Sequence, residues 1–369
     1  MNVIIRRATR LLPTVLLLFL VGGCGPEPRV PEVLSTIPTL GDPMAVAANS
    51  RTGYVYIING NEVAVFQDDR LIVNLPTTAA TGPRPSLAVD ENGDWVYVVN
   101  QYDDSVTVIR GTEVVTTVET AGREPCDVIV EPQSGWAYVV SGYRKSPPHG
   151  QAPVVEGNVT VISGTQVVGI VPLGRALAIH VVADPVNGYV YVGSVGGDVI
   201  VIDGLEEVAR FNVGSTVLAM DADPRTGDVY IIDADGNLLR VQGVEIAQQV
   251  DLWEEGPSPR NMRVHPVTGD VYIVYGGSWM LVVRDMEVIG DLEVGWGALK
   301  MAIDPLTGNV YVASFRDDTV AVVHGTEVLA TIDVGWYPYG IGVNPANGWV
   351  YVSNTNEHSV TILGFREGE

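Results

Sequence analysis

Three side chains of this sequence have the types that acid–base chemistry needs, and they recur at one spacing. Asp127, His180 and Lys300 each lie four residues before the first residue of a recurring phrase of the form Asp-Pro-x-Thr-Gly or a close variant. A carboxylate, an imidazole and an amine could move protons on a substrate, with Asp127 and His180 as the acid–base pair. The alternative is that these residues form ion pairs or hold ordered water in a polar channel.

Motifs for metals and cofactors are not evident in the sequence. No two of the five histidines lie close together along the chain, whereas zinc and copper sites need clustered ligands. The run 233–237 resembles a calcium-binding loop, but Leu238 stands where that loop requires glycine, so we expect a tight hairpin there. We therefore predict neither a metal nor a cofactor.

Aromatic residues are concentrated in links between repeated units in the second half of the chain. Trp253, Trp296 and Trp336 occupy three successive links of one kind, and Trp279 lies in or beside a link of the other kind. The remaining members of this group are Tyr275, Phe315, Tyr337 and Tyr339. A contiguous exposed aromatic patch often marks a surface for a ligand or partner. Alternatively, each ring only covers the seam beside it.

A long insertion interrupts one repeat. The glycines of the phrase are 53 residues apart between Gly135 and Gly188, and the extra residues lie between positions 141 and 158. Long loops on a minimal repeat are often functional. This insertion contains Tyr143 together with the basic residues Arg144, Lys145 and His149, and we predict that Tyr143, Arg144 and His149 contribute to binding. A neutral, disordered insertion is the alternative.

A repeat of about 40 residues must position all of these side chains. The phrase occurs eight times, with its glycine at Gly53, Gly93, Gly135, Gly188, Gly227, Gly269, Gly308 and Gly348. A period of about 40 to 45 residues with four short strands is typical of a propeller blade. Apolar residues alternate with period two around each glycine, which indicates strands and an all-β chain.

The two ends of the repeat region indicate how the ring closes. Residues 32–37 resemble the fourth strand of a repeat at 327–332, yet they precede the first full copy, and the last copy stops after its third strand. We therefore predict an eight-bladed β-propeller of four-stranded antiparallel blades, closed by an N-terminal strand that completes the last blade. Seven blades with an extra hairpin are the alternative.

The repeated Val-Tyr-Val-x-Asn segments, as at 96–100 and 350–354, resemble the YVTN family of β-propeller repeat proteins. The resemblance covers residues 33–365. It implies the propeller fold and says nothing about an activity, because the residues that define the family are structural. Many proteins of the family that this chain resembles have seven blades. This chain departs from the family pattern at Gly193, Ser194, Tyr275 and Ser314.

The N-terminus resembles a bacterial lipoprotein signal peptide. Three arginines, a short apolar run and small residues precede Cys24, which predicts removal of residues 1–23 and lipidation of Cys24. A transmembrane anchor is the alternative, although the apolar run is shorter than the roughly 18 to 20 residues of a span. We expect a tether at 24–31, a propeller domain at 32–366 and a tail at 367–369, held on the membrane outside the cytoplasm.

Charge restricts the partners. Without residues 1–23 the chain keeps 18 Lys and Arg against 44 Asp and Glu, a net charge of −26. Nucleic acid is a polyanion and would be repelled. Once Cys24 is lipidated, only Cys126 remains as a thiol, and we expect it to be a buried apolar residue without a disulfide partner.

The links that carry the aromatic residues and the insertion share one face of a propeller, which we call the top face. The sequence favours a membrane-tethered binding platform that contacts protein or envelope polysaccharide through this face. The alternative is an enzyme of the lyase or lactonase type at the channel mouth, acting through Asp127, His180 and Lys300. We favour binding over catalysis.

Overall fold

A computed structural model describes residues 28–77, 85–145, 154–252 and 258–366. These residues form eight antiparallel sheets of four strands each. The first strand of each sheet contacts the first strands of the two neighbouring sheets, and these contacts run around a closed ring. The architecture is an eight-bladed β-propeller, so the predicted all-β fold and the number of blades are confirmed. Within each blade we call the strands A to D, from the channel outward.

The first four blades follow one another along the chain. Blade 1 contains β2 (Pro43–Ala48), β3 (Tyr54–Asn59), β4 (Glu62–Gln67) and β5 (Arg70–Pro76). Blade 2 contains β6 (Leu87–Asp90), β7 (Trp95–Asn100), β8 (Ser105–Arg110) and β9 (Glu113–Glu119). Blade 3 contains β10 (Pro125–Glu131), β11 (Trp136–Lys145), β12 (Val154–Ser163) and β13 (Gln166–Gly174). Blade 4 contains β14 (Ala178–Ala183), β15 (Val190–Ser194), β16 (Asp198–Asp203) and β17 (Glu206–Asn212).

The last four blades include the closing strand. Blade 5 contains β18 (Val217–Ala222), β19 (Val229–Asp233), β20 (Asn237–Gln242) and β21 (Glu245–Asp251). Blade 6 contains β22 (Pro259–Val264), β23 (Val271–Tyr275), β24 (Trp279–Arg284) and β25 (Glu287–Glu293). Blade 7 contains β26 (Ala298–Ile303), β27 (Asn309–Ser314), β28 (Thr319–His324) and β29 (Glu327–Asp333). Blade 8 contains β30 (Pro338–Asn344), β31 (Trp349–Asn354), β32 (Ser359–Gly364) and the N-terminal strand β1 (Glu32–Pro38). Short 3-10 helices lie at Gln101–Asp103 and Thr355–Glu357.

Closure of the ring depends on the pairing of β1 with β32. The two strands are antiparallel, with Glu32 opposite Gly364 at the lower end and Pro38 opposite Ser359 at the upper end. The N-terminal strand therefore completes blade 8, as predicted. This pairing hides two strand edges that an open ring would leave exposed.

The first residue of each phrase closes the turn between strands A and B on the bottom face. The Asp304 carboxylate accepts a hydrogen bond from the Leu306 backbone N–H at 2.9 Å, and the Gly308 N–H donates to the Asp304 carbonyl. Gly308 has φ +74°, a conformation that glycine adopts without strain. Because all eight positions are buried, the phrase is a structural element and not a site.

The core is divided into eight apolar layers, one in each seam between blades. In the seam between blades 7 and 8, for example, Tyr311 and Val320 of one blade pack with Val350 and Val352 of the next. Each layer contains strand B and C residues of both blades, which is why the short alternating strands of the sequence are buried on both faces.

Candidate functional site

The top face over blades 6 to 8 carries a group of neighbouring side chains, which we call the aromatic surface: Trp296, Phe315, Arg316, Trp336 and Tyr337. Trp296 lies in the link from blade 6 to blade 7, Phe315 and Arg316 lie in the B–C link of blade 7, and the other two lie in the link from blade 7 to blade 8. The Phe315 and Tyr337 ring centroids are 4.8 Å apart. The Arg316 guanidinium lies 5.9 Å from the Trp296 ring and 5.7 Å from the Phe315 ring, so it joins them.

Carboxylates of neighbouring links fix the backbone beneath these rings. The Trp296 N–H donates to Asp317 Oδ2 at 2.7 Å, and the Trp336 N–H donates to Glu357 Oε2 at 2.8 Å. The Trp296 carbonyl also accepts from the Arg316 N–H at 3.2 Å. Because these hydrogen bonds join each link to the blade that follows it, they restrict the movement of the backbone that carries the rings. Trp296 is 53% exposed and Trp336 is 66% exposed.

Tyr337 has an unusual backbone conformation. Its φ is +59°, and Gly297 holds the equivalent position of the preceding link with φ +82°. The Tyr337 N–H donates to Asp318 Oδ1 at 2.9 Å, which helps to hold this conformation. A left-handed residue other than glycine costs about 1–2 kcal/mol. Glu124 adopts the same conformation in the link from blade 2 to blade 3, so the geometry belongs to the link, and only its occupation by an aromatic residue is particular to this site.

The other predicted aromatic residues lie around or below this surface. Trp279 is the first residue of β24 and is 46% exposed. Tyr339 lies in β30 and is half-buried. Tyr275 is buried at the upper end of β23, and burial raises the pKa of its hydroxyl to about 12. Trp253 lies outside the described residues.

Arg316 was not among the residues predicted from the sequence. It is a basic residue between Phe315 and two aspartates, in a link that otherwise matches the repeat. That pattern is a weak signal for a binding residue, because the contact of Arg316 with the Trp296 ring joins two different links and cannot be read from either link alone.

The insertion in blade 3 begins as an extension of the B–C hairpin. Strands β11 and β12 continue beyond the usual length, with Tyr143 opposite Glu156 and Arg144 opposite Val155. His149 lies outside the described residues. The insertion lies on blade 3, whereas the aromatic surface lies over blades 6 to 8, so the structure does not bring these two predicted parts together.

The channel residues Asp127 and His180 lie on neighbouring strands, β10 and β14. A bulge in the pairing with strand B precedes each of them. The Asp127 carboxylate accepts from the Ser86 hydroxyl at 2.7 Å and from the Val181 N–H at 3.2 Å. Lys300 lies on blade 7, which is four blades from blade 3 in either direction, so these three residues do not share one site.

A second polar pair lies deeper in the channel. Asp221 Oδ1 is 3.6 Å from Arg263 Nη1, and Asp221 Oδ2 accepts from the Val264 N–H at 2.8 Å. Burial raises the pKa of Asp221, and the attraction of Arg263 offsets only part of this effect. The pair links blades 5 and 6, and its hydrogen bond to the backbone indicates a structural role.

The part of the chain that the structure describes contains neither a metal-binding cluster nor a membrane-spanning helix. Among residues 28–77, 85–145, 154–252 and 258–366, no group of three or more His, Cys, Asp or Glu side chains is arranged to hold a metal ion. In the same ranges no helix has the length and apolarity needed to cross a bilayer. At the sequence that resembles a calcium loop, Asp233 accepts from the Asn237 N–H at 2.9 Å and closes a tight turn.

No protein-family model matches the sequence, and no curated protein matches it. The chain is similar to the WD40 β-propeller domain of Doa1, with a TM-score of 0.58 and 11% sequence identity, over 91% of this chain and 98% of that one. It is also similar to hydrazine synthase of Kuenenia stuttgartiensis, with a TM-score of 0.58 and 14% identity, over 94% of this chain and 100% of that one. At such low identity the likeness shows the fold alone. The chain therefore has a β-propeller fold, which is commonly a platform for protein interactions.

Proposed function

We propose that this chain is a membrane-tethered, extracytoplasmic interaction platform of the YVTN type and that the aromatic surface binds a protein partner. The observation that carries the proposal is the fixed exposure of Trp296 and Trp336. Both rings project from links whose backbone is held by a carboxylate of the next blade. A ring that only covered a seam would be buried against it, whereas these rings are 53% and 66% exposed.

This arrangement suits binding for two physical reasons. Tryptophan, tyrosine and arginine contribute most to protein interfaces, since they bury large apolar areas and add polar contacts at the edge. The fixed backbone reduces the conformational entropy that the surface would lose on binding. The net charge of −26 without residues 1–23 favours a partner with a basic surface and disfavours nucleic acid.

The location rests on the N-terminal sequence. A charged start, a short apolar run and Cys24 after small residues support a lipid-anchored protein on the outer side of the cytoplasmic membrane or beyond it. Stable anchoring needs more than one acyl chain, which lipoprotein cysteines carry. Cys126 is buried and makes no disulfide. The apolar layers between the blades, and not a cross-link through Cys126, stabilise the fold.

Catalysis at the channel mouth has less support. Asp127 already accepts three hydrogen bonds, from the Ser86 hydroxyl and the Val128 and Val181 N–H groups, and Lys300 lies four blades away. A lyase or lactonase would need these groups to converge on one substrate.

The test is affinity capture from the native cell envelope with three proteins: the wild type, the double variant Trp296→Ala/Trp336→Ala, and Tyr102→Ala as the control. Tyr102 is 68% exposed on the same face over blade 2, far from the aromatic surface. Two interface tryptophans can each contribute 2 kcal/mol or more, so we expect the double variant to lose at least about tenfold in capture. Tyr102→Ala should capture as the wild type does.

Retention of every partner by the double variant would show that the aromatic surface is not the binding site. Protease treatment of the captured material distinguishes a protein from an envelope polysaccharide, which would survive it. Equal thermal unfolding of the three proteins is needed as a control for folding.

A further inference from the structure

The chain enters the propeller on the bottom face, and the residues before β1 are packed there. The Arg29 carbonyl accepts a hydrogen bond from Asn309 Nδ2 at 3.0 Å, at the lower end of strand B in blade 7. The Arg29 guanidinium lies 4.9 Å from the Phe365 ring, and Pro31 is buried. The position at which the N-terminal segment leaves the disc is therefore fixed at the lower rim of blades 7 and 8.

The aromatic surface lies at the opposite end of the same two blades. Strand β1 runs upward from Glu32, opposite Gly364, to Pro38, opposite Ser359, and the links with Trp296 and Trp336 lie above that upper end. Six or seven strand residues span about 20 Å at 3.3 Å per residue. The exit of the chain and the aromatic surface are separated by at least this height.

The remaining connection to the proposed lipid is short. Four residue steps join Pro28 to Cys24. A fully extended chain spans at most about 3.6 Å per residue, so this connection reaches about 14 Å. Turning the disc over would place Pro28 about 20 Å or more from the bilayer, beyond this reach.

We propose that the anchor holds the bottom face of the disc toward its own membrane, so that the aromatic surface faces away and binds a protein that approaches from the aqueous side. The inference rests on the proposed lipidation of Cys24. It narrows the class of partner: a soluble protein, or one presented by an opposing surface, reaches Trp296 and Trp336 more readily than a protein lying flat on the same bilayer.

The experiment uses the full lipidated chain in vesicles that contain a headgroup-quencher lipid. A dye is attached at Thr326→Cys on the bottom face of blade 7 or at Asn356→Cys on the top face of blade 8, both of which are exposed positions. Cys126 is buried, so it does not compete for the dye. We expect the quencher to reduce dye emission at Thr326→Cys and to leave emission at Asn356→Cys unchanged.

A matched pair of controls tests the cause. Inserting 20 Gly and Ser residues between Cys24 and Pro28 extends the connection by about 25 Å on average and should reduce the difference between the two labels. Cys24→Ser should abolish flotation with the vesicles.

The outcomes separate the two proposals. Equal quenching of both labels, or stronger quenching at Asn356→Cys, in a protein that floats would overturn the orientation and leave the anchoring intact. A wild-type protein that does not float would overturn the anchoring and the orientation together, while the capture experiment with Trp296→Ala/Trp336→Ala would still decide whether the aromatic surface binds.

Discussion

The hydroxyl of Tyr272 donates a hydrogen bond to the backbone oxygen of Gly325, 3.1 Å away in the next blade. The tyrosine of the repeated phrase makes the same bond to the C–D turn of the following blade in four other seams, at Tyr56, Tyr138, Tyr191 and Tyr351. The phrase thus ties neighbouring blades together as well as forming a strand. Blade 8 has no C–D turn, because the two ends of the propeller meet there, so the buried Tyr311 hydroxyl has no turn carbonyl of the next blade to which it could donate.

Tyr272→Phe should lower the free energy of unfolding by about 1 kcal/mol, since it removes one buried hydrogen bond and leaves a carbonyl without its donor. Tyr311→Phe is the matched control. It removes a buried hydroxyl that makes no bond to the next blade, so we expect a smaller loss than for Tyr272→Phe. Chemical denaturation of both variants measures the difference, and equal losses would contradict the assignment.

His265 should make stability sensitive to mild acid. Its Nδ1 accepts from the Val267 and Thr268 N–H groups, both at 3.1 Å, so the imidazole must be neutral. Burial lowers the pKa of His265, and nearby Asp270 offsets only part of this effect. The unfolded chain therefore binds a proton first, and stability falls as pH drops below about 6.5, until it passes the lowered folded pKa.

His265→Asn supplies the test of this pH dependence. Asparagine closes the equivalent turns at Asn49 and Asn344, so the turn should persist. We expect the unfolding free energy of the variant to change less than that of the wild type between pH 7 and 5. Parallel curves for the two proteins would show that other groups cause the acid sensitivity.

Ala64→Thr should stabilise the protein. Asn100 Nδ2 donates to the hydroxyls of Ser105 and Thr107, whereas the buried Asn59 amide, at the equivalent position, has no partner among the described residues. Ala64 stands where blade 2 has Thr107, so a threonine there would supply the missing acceptor. We expect a gain of up to about 1 kcal/mol. A lower melting temperature would indicate that the seam has no room for the extra atoms.

Tyr337→Gly should separate stability from binding. Glycine adopts the left-handed conformation without strain, which recovers about 1–2 kcal/mol, but the greater freedom of the unfolded chain and the loss of the Phe315 contact oppose this gain. We expect the unfolding free energy to change by less than about 1 kcal/mol while capture of the partner weakens. A large loss of stability with unchanged capture would show that the ring is structural.

The sequence was sufficient to predict the ring but not the contacts on its top face. Eight phrases and a displaced strand at 32–37 determine the number of blades. Each phrase, and the strand, consists of consecutive residues, so it can be recognised in the sequence alone. The bond from Trp296 to Asp317 and the contact of Arg316 with two rings join different links, so their geometry depends on how blades stack. Whether Asp127 and Lys300 can act on one substrate depends on how far apart they lie around the ring. The number of repeats gives this separation only when the way in which the ring closes is known.

The pairing of β1 with β32 also determines how the closed ring responds to force. A pull on the chain before Pro28 acts downward along β1, parallel to the strand and perpendicular to its hydrogen bonds with β32. The bonds between the two strands are then loaded together in shear, and they cannot open one after another as they would in peeling. The closing strand pair therefore resists a pull from below more strongly than it would resist peeling from one end.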